Sequence, residues 1–110
     1  MRSRKAVALQ TDAIATGASE RHNATEAKKT FHAHGTTSAG AGAATILVEA
    51  SNITSPSVDA DWFTIGTLSL TLATTRSSDA LAVDASYLWV RSRISAISGT
   101  DATVSVIMGT

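Results

Sequence analysis

Any chemistry this chain performs has to come from a small number of side chains. His32-Ala33-His34 sets two imidazoles on one side of an extended strand. Their separation of about 6.5–7 Å along the strand suits a metal ion. A catalytic metal site also needs a nearby carboxylate, and the first one downstream is Glu49. The pair reads equally as polar residues on a solvated or interface face, or as a contact sensitive to pH near neutrality. Asp59 and Asp61 flank Ala60 as a sparse calcium pattern. They lack the glycine and distal glutamate of a dedicated calcium loop, which leaves a solvated turn. Gly40-Ala41-Gly42-Ala43-Ala44-Thr45 begins like a dinucleotide fingerprint, but Thr45 stands where the third glycine belongs. The run also feeds the β-branched "TILVEAS" rather than a helix, whose N-terminal N–H groups would hold a phosphate. No Gly-x-Ser-x-Gly turn accompanies a histidine. The chain is therefore expected to be no enzyme, with no resident metal.

The strongest surface signal is Tyr87, Trp89, Arg91 and Arg93, spaced at every second residue of "YLWVRSR". On a strand they share one face, opposite Leu88 and Val90. These types are enriched at the energetic centres of protein interfaces, and they also stack on sugars or nucleic-acid bases. The face reads either as a partner interface, or as a sheet edge where Trp89 is half buried and the arginines solvate the sheet. Arg2, Arg4 and Lys5 form a basic head that could join the same contact.

Strands must position all of these residues, because helix signals are nearly absent. The one helix-tolerant piece, "ASERHNATEAKK", has alanine as its sole apolar type. Period-two alternation recurs instead, bounded by Gly, Ser, Asn and Asp. It predicts strands near Lys5–Gln10 (Val7 and Leu9 inward), Ala27–His34 (Phe31 and Ala33 inward) and Ala43–Ser51 (Ile46, Val48 and Ala50 inward). "SNITSPSVDAD" is a polar loop. Along Asp61–Ala73 the parity changes between Ile65 and Leu68, and a bulge at Gly66 would return Phe63, Ile65, Leu68, Leu70 and Leu72 to one side. "TTRSSDA" reads as a loop. Ser86–Ser98, with Leu88, Val90, Ile94 and Ala96 inward, is expected to pair as a hairpin with Asp101–Met108 through "SGTD", where Gly99 can take a positive φ.

The expected fold is all-β, an antiparallel β-sandwich of about six or seven short strands, with a small open barrel as the alternative. Residues 1–26 are expected to form an extended N-terminal arm with a short strand, and 27–110 the sandwich. Its core is expected to hold Ile46, Val48, Phe63, Ile65, Leu70, Val90, Ile94, Val104 and Val106.

A chain of 110 residues makes one domain. It has no cysteine, which excludes disulfides and thiolate metal sites. Formal net charge is zero, but six basic against three acidic residues up to Gly35 give +3, and the reverse count beyond it gives −3. Such a dipolar block can dock on an oppositely charged neighbour. No apolar stretch approaches the ~20 residues of a membrane helix. Gln10, Thr11 and Asp12 interrupt the apolar run near the start, a poor signal peptide that reads as mature sequence.

Three phrases carry a family resemblance: "KKTFHAHGTTSAGAGAATILVEASN", "DWFTIGTLSLTL" and "YLWVRSRISAISGTDATVSVIMG". Together they resemble small all-β virion proteins of tailed bacteriophages, most of all capsid decoration (cement or staple) proteins. That resemblance implies a non-enzymatic structural protein, with no cofactor and no catalytic residue, that binds the outside of the assembled capsid and stabilises it. Its partner would be the major capsid protein lattice, with homo-oligomeric contacts on the particle and neither nucleic acid nor membrane bound. It would be made in the host cytoplasm and located on the virion surface. Two other classes stay open: a carbohydrate- or receptor-binding module of a head or tail fibre, and a head–tail connector or tail component.

Overall fold

The computed structural model describes residues 6–110. The alternating runs become nine strands: β1 (Ala6–Ala13), β2 (Gly17–Ala18), β3 (His22–Ala24), β4 (Lys28–Thr36), β5 (Ala39–Ser51), β6 (Phe63–Leu72), β7 (Ser77–Asp84), β8 (Tyr87–Thr100) and β9 (Thr103–Gly109). A single 3₁₀ turn at Asp59–Asp61 is the helical content of the described residues. The strands form two sheets. The first has the order β1-β9-β4-β7, and the second β2-β8-β5-β6 with β3 also on β8. Every pairing is antiparallel. With β2 and β3 sharing one edge position, this is the double Greek key of a jelly roll, a β-sandwich whose chain passes repeatedly between layers. The Cα envelope is a slab of 41 × 36 × 17 Å.

Inward side chains from both sheets fill the slab. Phe31, Ile46, Val48, Leu68, Leu72, Val90, Val104 and Val106 are fully buried, and Leu70, Ile94 and Met108 nearly so. Ile65 packs against this core from its margin. Phe63 is the exception to the expected core, at 46% exposed. The reason is position rather than parity. A bulge does fall at Ile65, between the Val48–Gly66 and Glu49–Thr64 pairs, and Phe63 pairs with inward-facing Ala50. However, Phe63 is the first residue of β6, at the open end of the sandwich, edge-on to Tyr87 with ring centroids 5.7 Å apart.

The structure corrects four further expectations about the strands. First, β8 and β9 do not form a hairpin, because they lie in different sheets. The turn chemistry is present, with Gly99 at φ 120° and Asp101 at φ 48°, but it passes the chain across the sandwich. Secondly, "TTRSSDA" is only partly loop: β7 begins at Ser77. Its inward positions are Ser77, Asp79, Leu81 and Val83, too polar for the alternation to show. Thirdly, residues 6–26 are edge strands of both sheets rather than an arm; Leu9 and Ala24 join the core. Arg2, Arg4 and Lys5 lie outside the described residues. Finally, a bulge at Ser95 steps the register from Ile46–Ile94 to Thr45–Ala96. It leaves Ala96 exposed and puts Ile97 against the core.

The glycine-rich run is strand. A Cβ on Gly42 would lie 2.2 Å from the Ser98 carbonyl oxygen, so β5 and β8 approach closely only because that atom is missing. Gly66 makes similar room for Leu81, whose Cδ2 would stand 2.6 Å from an added Cβ. There the free edges of the two sheets meet. Asp79 Oδ2 accepts the Ser69 N–H at 3.0 Å, capping the edge of β6.

Candidate partner-binding surface

The outward face of β8 is partly covered, because the β5–β6 connection folds over Trp89 and Arg91. Arg91 stands directly opposite Glu49 in the β5–β8 register, and its Nε donates to Glu49 Oε1 at 2.8 Å. One terminal guanidinium nitrogen donates to Asp59 Oδ1 at 3.0 Å. The guanidinium also lies over the Trp62 ring, 4.5 Å from its centroid. Arg91 and Glu49 are both buried, whereas Asp59 is exposed. Arg93 reaches the other oxygen of Asp59 at 3.6 Å and stays partly exposed.

Hydrogen bonds pin the rest of the connection. Trp89 Nε1 donates to the Thr54 carbonyl at 3.1 Å, the Leu88 N–H to Asn52 Oδ1 at 3.0 Å, and the Ile53 N–H to Ser51 Oγ at 3.1 Å. Asp61 Oδ2 accepts the Ser57 N–H at 2.8 Å and the Val58 N–H at 3.3 Å. The two aspartates of the sparse calcium pattern therefore serve the loop itself. The hydrogen bond from Arg91, followed by the charge of Arg93, holds the Asp59 carboxyl below the usual carboxylate range, with desolvation opposing them.

Of the four residues read as one outward face, Trp89, Arg91 and Arg93 share it. Tyr87 does not. Ala24 and Asn23 pair with Tyr87 and Trp89, which leaves Leu88 as an extra residue in a bulge. The bulge turns Tyr87 against the core. There it faces the Lys29 ammonium, 5.6 Å from its ring centroid. Lys29 is buried, and its Nζ donates to the carbonyls of Glu26 (2.7 Å) and Ala85. Burial lowers its pKa, with Glu26 and Asp84 opposing. The signal for this residue was in the sequence, since Lys29 shares the inward parity of Phe31 and Ala33. One face of the Trp89 ring is taken by Arg21, whose guanidinium lies 4.4 Å from the centroid, so Trp89 is no open stacking platform.

The pinned connection carries what the sequence reading missed. Ile53 is 47% and Val58 57% exposed, and Phe63 follows directly on the same segment. The hydrogen bonds of the connection thus hold these apolar side chains outward at its two ends and middle. Isolated Ile and Val in a polar loop give no periodic signal, so alternation could not find them.

His32 and His34 lie on the outer face of the first sheet, away from this surface. Their ring centroids are 5.7 Å apart with planes at 61°. Burial, then the charges of Arg76 and His32, lower the His34 pKa, and Asp12 opposes them. Among the described residues no three His, Asp or Glu side chains gather as a metal site.

No protein-family model and no curated protein matches the chain. Among solved structures, the SPBc2 prophage-derived protein YomS superposes with a TM-score of 0.52 at 10% identity, over 98% of this chain and 94% of that one. At that identity the likeness is one of fold, and it spans nearly the whole of both chains.

Proposed function

We propose that this chain is a non-enzymatic structural protein of a tailed-bacteriophage particle, which binds the outside of the assembled capsid and stabilises it. One observation carries the reading: loop 52–62 is fixed to the second sheet by the Glu49–Arg91–Asp59 network while presenting Ile53 and Val58 outward. Pre-ordering removes much of the entropy cost of binding a large partner. The fold likeness to a prophage-derived protein supports the same reading. So does a slab only 17 Å thick, which can lie flat on a shell. In this reading Ile53, Val58 and Phe63 make the contact, and Trp89 and Arg93 border it. Arg91 and Tyr87 act from inside the fold. Arg2, Arg4 and Lys5 supply positive charge toward acidic capsid loops. Many copies, each weakly held, can clamp a lattice together.

The test is co-sedimentation of purified protein with undecorated shells. Val58→Asp and Ile53→Asp alter exposed positions and are expected to fold. Loss of a hot-spot contact weakens binding by about 2 kcal/mol, roughly thirty-fold. Wild-type occupancy by both variants would remove the loop from the contact. Failure of the wild type to sediment with shells, alongside binding to tails, would move the protein to another part of the particle.

A further inference from the structure

Among the described residues, the outer face of the first sheet carries no ion-pair network; Asp12 covers its Ser105, donating its N–H to Ser105 Oγ at 3.0 Å, and beside it the face holds a pair of side chains of metal-ligand type. We propose that this face is a metal-bridged contact between two copies of the chain, in which His32 and His34 of each copy hold one divalent transition-metal ion of the zinc or nickel class. The proposal is independent of the capsid reading.

The geometry within one chain is nearly that of a chelate. His32 and His34 project from alternate positions of β4, with centroids 5.7 Å apart. Two imidazoles bound to one zinc at about 2.1 Å and at near-tetrahedral angles would have centroids about 5 Å apart. Small rotations of two rings, one exposed and one half-buried, close that gap.

The site is incomplete in a single copy. Among the described residues no third His, Asp or Glu joins the pair, whereas a closed zinc site takes four ligands. The surroundings suit a second copy as the source of the other two. On β7, Ala80 stands beside His32 and Ser78 beside His34. On β9, Ile107 and Ser105 occupy the corresponding places. Ala8 follows on β1, opposite Ile107. Apart from Ile107 these side chains are short; His32 stands exposed above them, while His34 is half-buried with Asp12 seated on the neighbouring Ser105. A two-fold axis through the patch would set the same residues against themselves. Arg76 opposes a cation at His34 more strongly than Asp12 favours one, so the ligands of the second copy must outweigh that charge.

The experiment uses the full chain with zinc or nickel ions alone. Equilibrium dialysis measures bound metal, and sedimentation velocity measures mass. The expected result is one metal per two chains, with a doubled mass that a chelator reverses. Cobalt in place of zinc should give the strong visible bands of a tetrahedral ion. His32→Ala and His34→Ala change outward residues and should keep the wild-type circular dichroism. Each should weaken metal binding by at least about tenfold and abolish the metal-dependent dimer. His22→Ala, on the other sheet, should leave both intact. Metal bound one per chain without a change of mass would overturn the proposal. So would no binding at ~0.1 mM metal, a range in which even weak extracellular calcium modules bind, or a metal-dependent dimer that persists in both histidine variants.

Discussion

The two outer faces of this sandwich follow the same strand rule and end as different surfaces. On β4, outward Thr30 and His32 stay exposed. On β8, outward Arg91 is buried and bound to Glu49 and Asp59. The difference lies in what crosses each face. Residues 52–62 connect β5 to β6 and lie over the second sheet, while the outer face of the first sheet is covered only where Asp12 sits on Ser105 and leaves His32 exposed and His34 half-exposed. Strand parity therefore tells which face a side chain leaves from, and a long connection decides whether that face remains a surface.

The largest effect should come from the layer beneath both faces. Val90 alternates with Arg91 on β8 and is fully buried. Val90→Asp would place an unpaired carboxylate in the buried core, beside its β5 partner Ala50. It should cost more than about 4 kcal/mol and leave the chain unfolded by circular dichroism. A folded, stable variant would mean that the parity of β8 is reversed and that the two faces have been wrongly distinguished.

The next largest effect separates the faces directly. Arg91→Ala would strand the buried Glu49 carboxylate, at about 3 kcal/mol in chemical denaturation. Replacing both partners, Arg91→Met with Glu49→Gln, should cost less than the single change, because no buried charge is left alone. Equal costs would show that the pair contributes packing rather than charge balance.

The extent to which this arrangement could be read from sequence follows from the range of each interaction. Alternation located Phe31 and Ala33, Ile46 and Val48, and Val104 and Val106, because a pleated strand repeats its faces every second residue. It failed at Leu88 and Ser95, where bulges shift parity without a glycine or proline to mark them. It also failed at Ser77–Asp84, an edge strand whose inward side is half polar. "SGTD" announced a turn, but not that the strands it joins would enter different sheets. The covered face was illegible for another reason. Arg91 lies 42 residues from Glu49 and 32 from Asp59, and no local pattern carries such pairings.

Trp89→Ala should have a smaller effect, about 1–2 kcal/mol, from the lost Thr54 hydrogen bond and the Arg21 contact. The protein should fold, with faster amide exchange confined to residues 52–62. Acid should loosen the same loop. Asp59 titrates below the ordinary carboxylate value of about 3.9, so its contribution is present above that pH and is lost as pH falls through its lower folded value. Exchange in the loop should therefore accelerate below about pH 4 before the core strands unfold. Simultaneous loss of loop and core would show that the connection is not a separable covering.

The smallest effect belongs to the uncovered face, and its size is the point of the measurement. His32 occupies an outward strand position equivalent to that of Arg91, yet it makes only an edge contact with His34. His32→Ala leaves no buried group without a partner, so stability at neutral pH should change by no more than about 0.5 kcal/mol. The neighbouring histidine should still register the loss. Burial chiefly lowers the His34 pKa, with Arg76 and then His32 adding to it. In the variant that last cause is gone, so the pKa should rise toward the usual value of about 6.5 in an NMR titration. The sign for stability follows. A depressed histidine binds fewer protons folded than unfolded, so its penalty is fully present below the folded pKa and disappears as pH rises past the unfolded one. His32→Ala should therefore lose less stability than the wild type between neutral pH and about pH 5, where histidine titrates. A cost comparable to that of Arg91→Ala would mean that the fold depends on this open face as strongly as on the covered one.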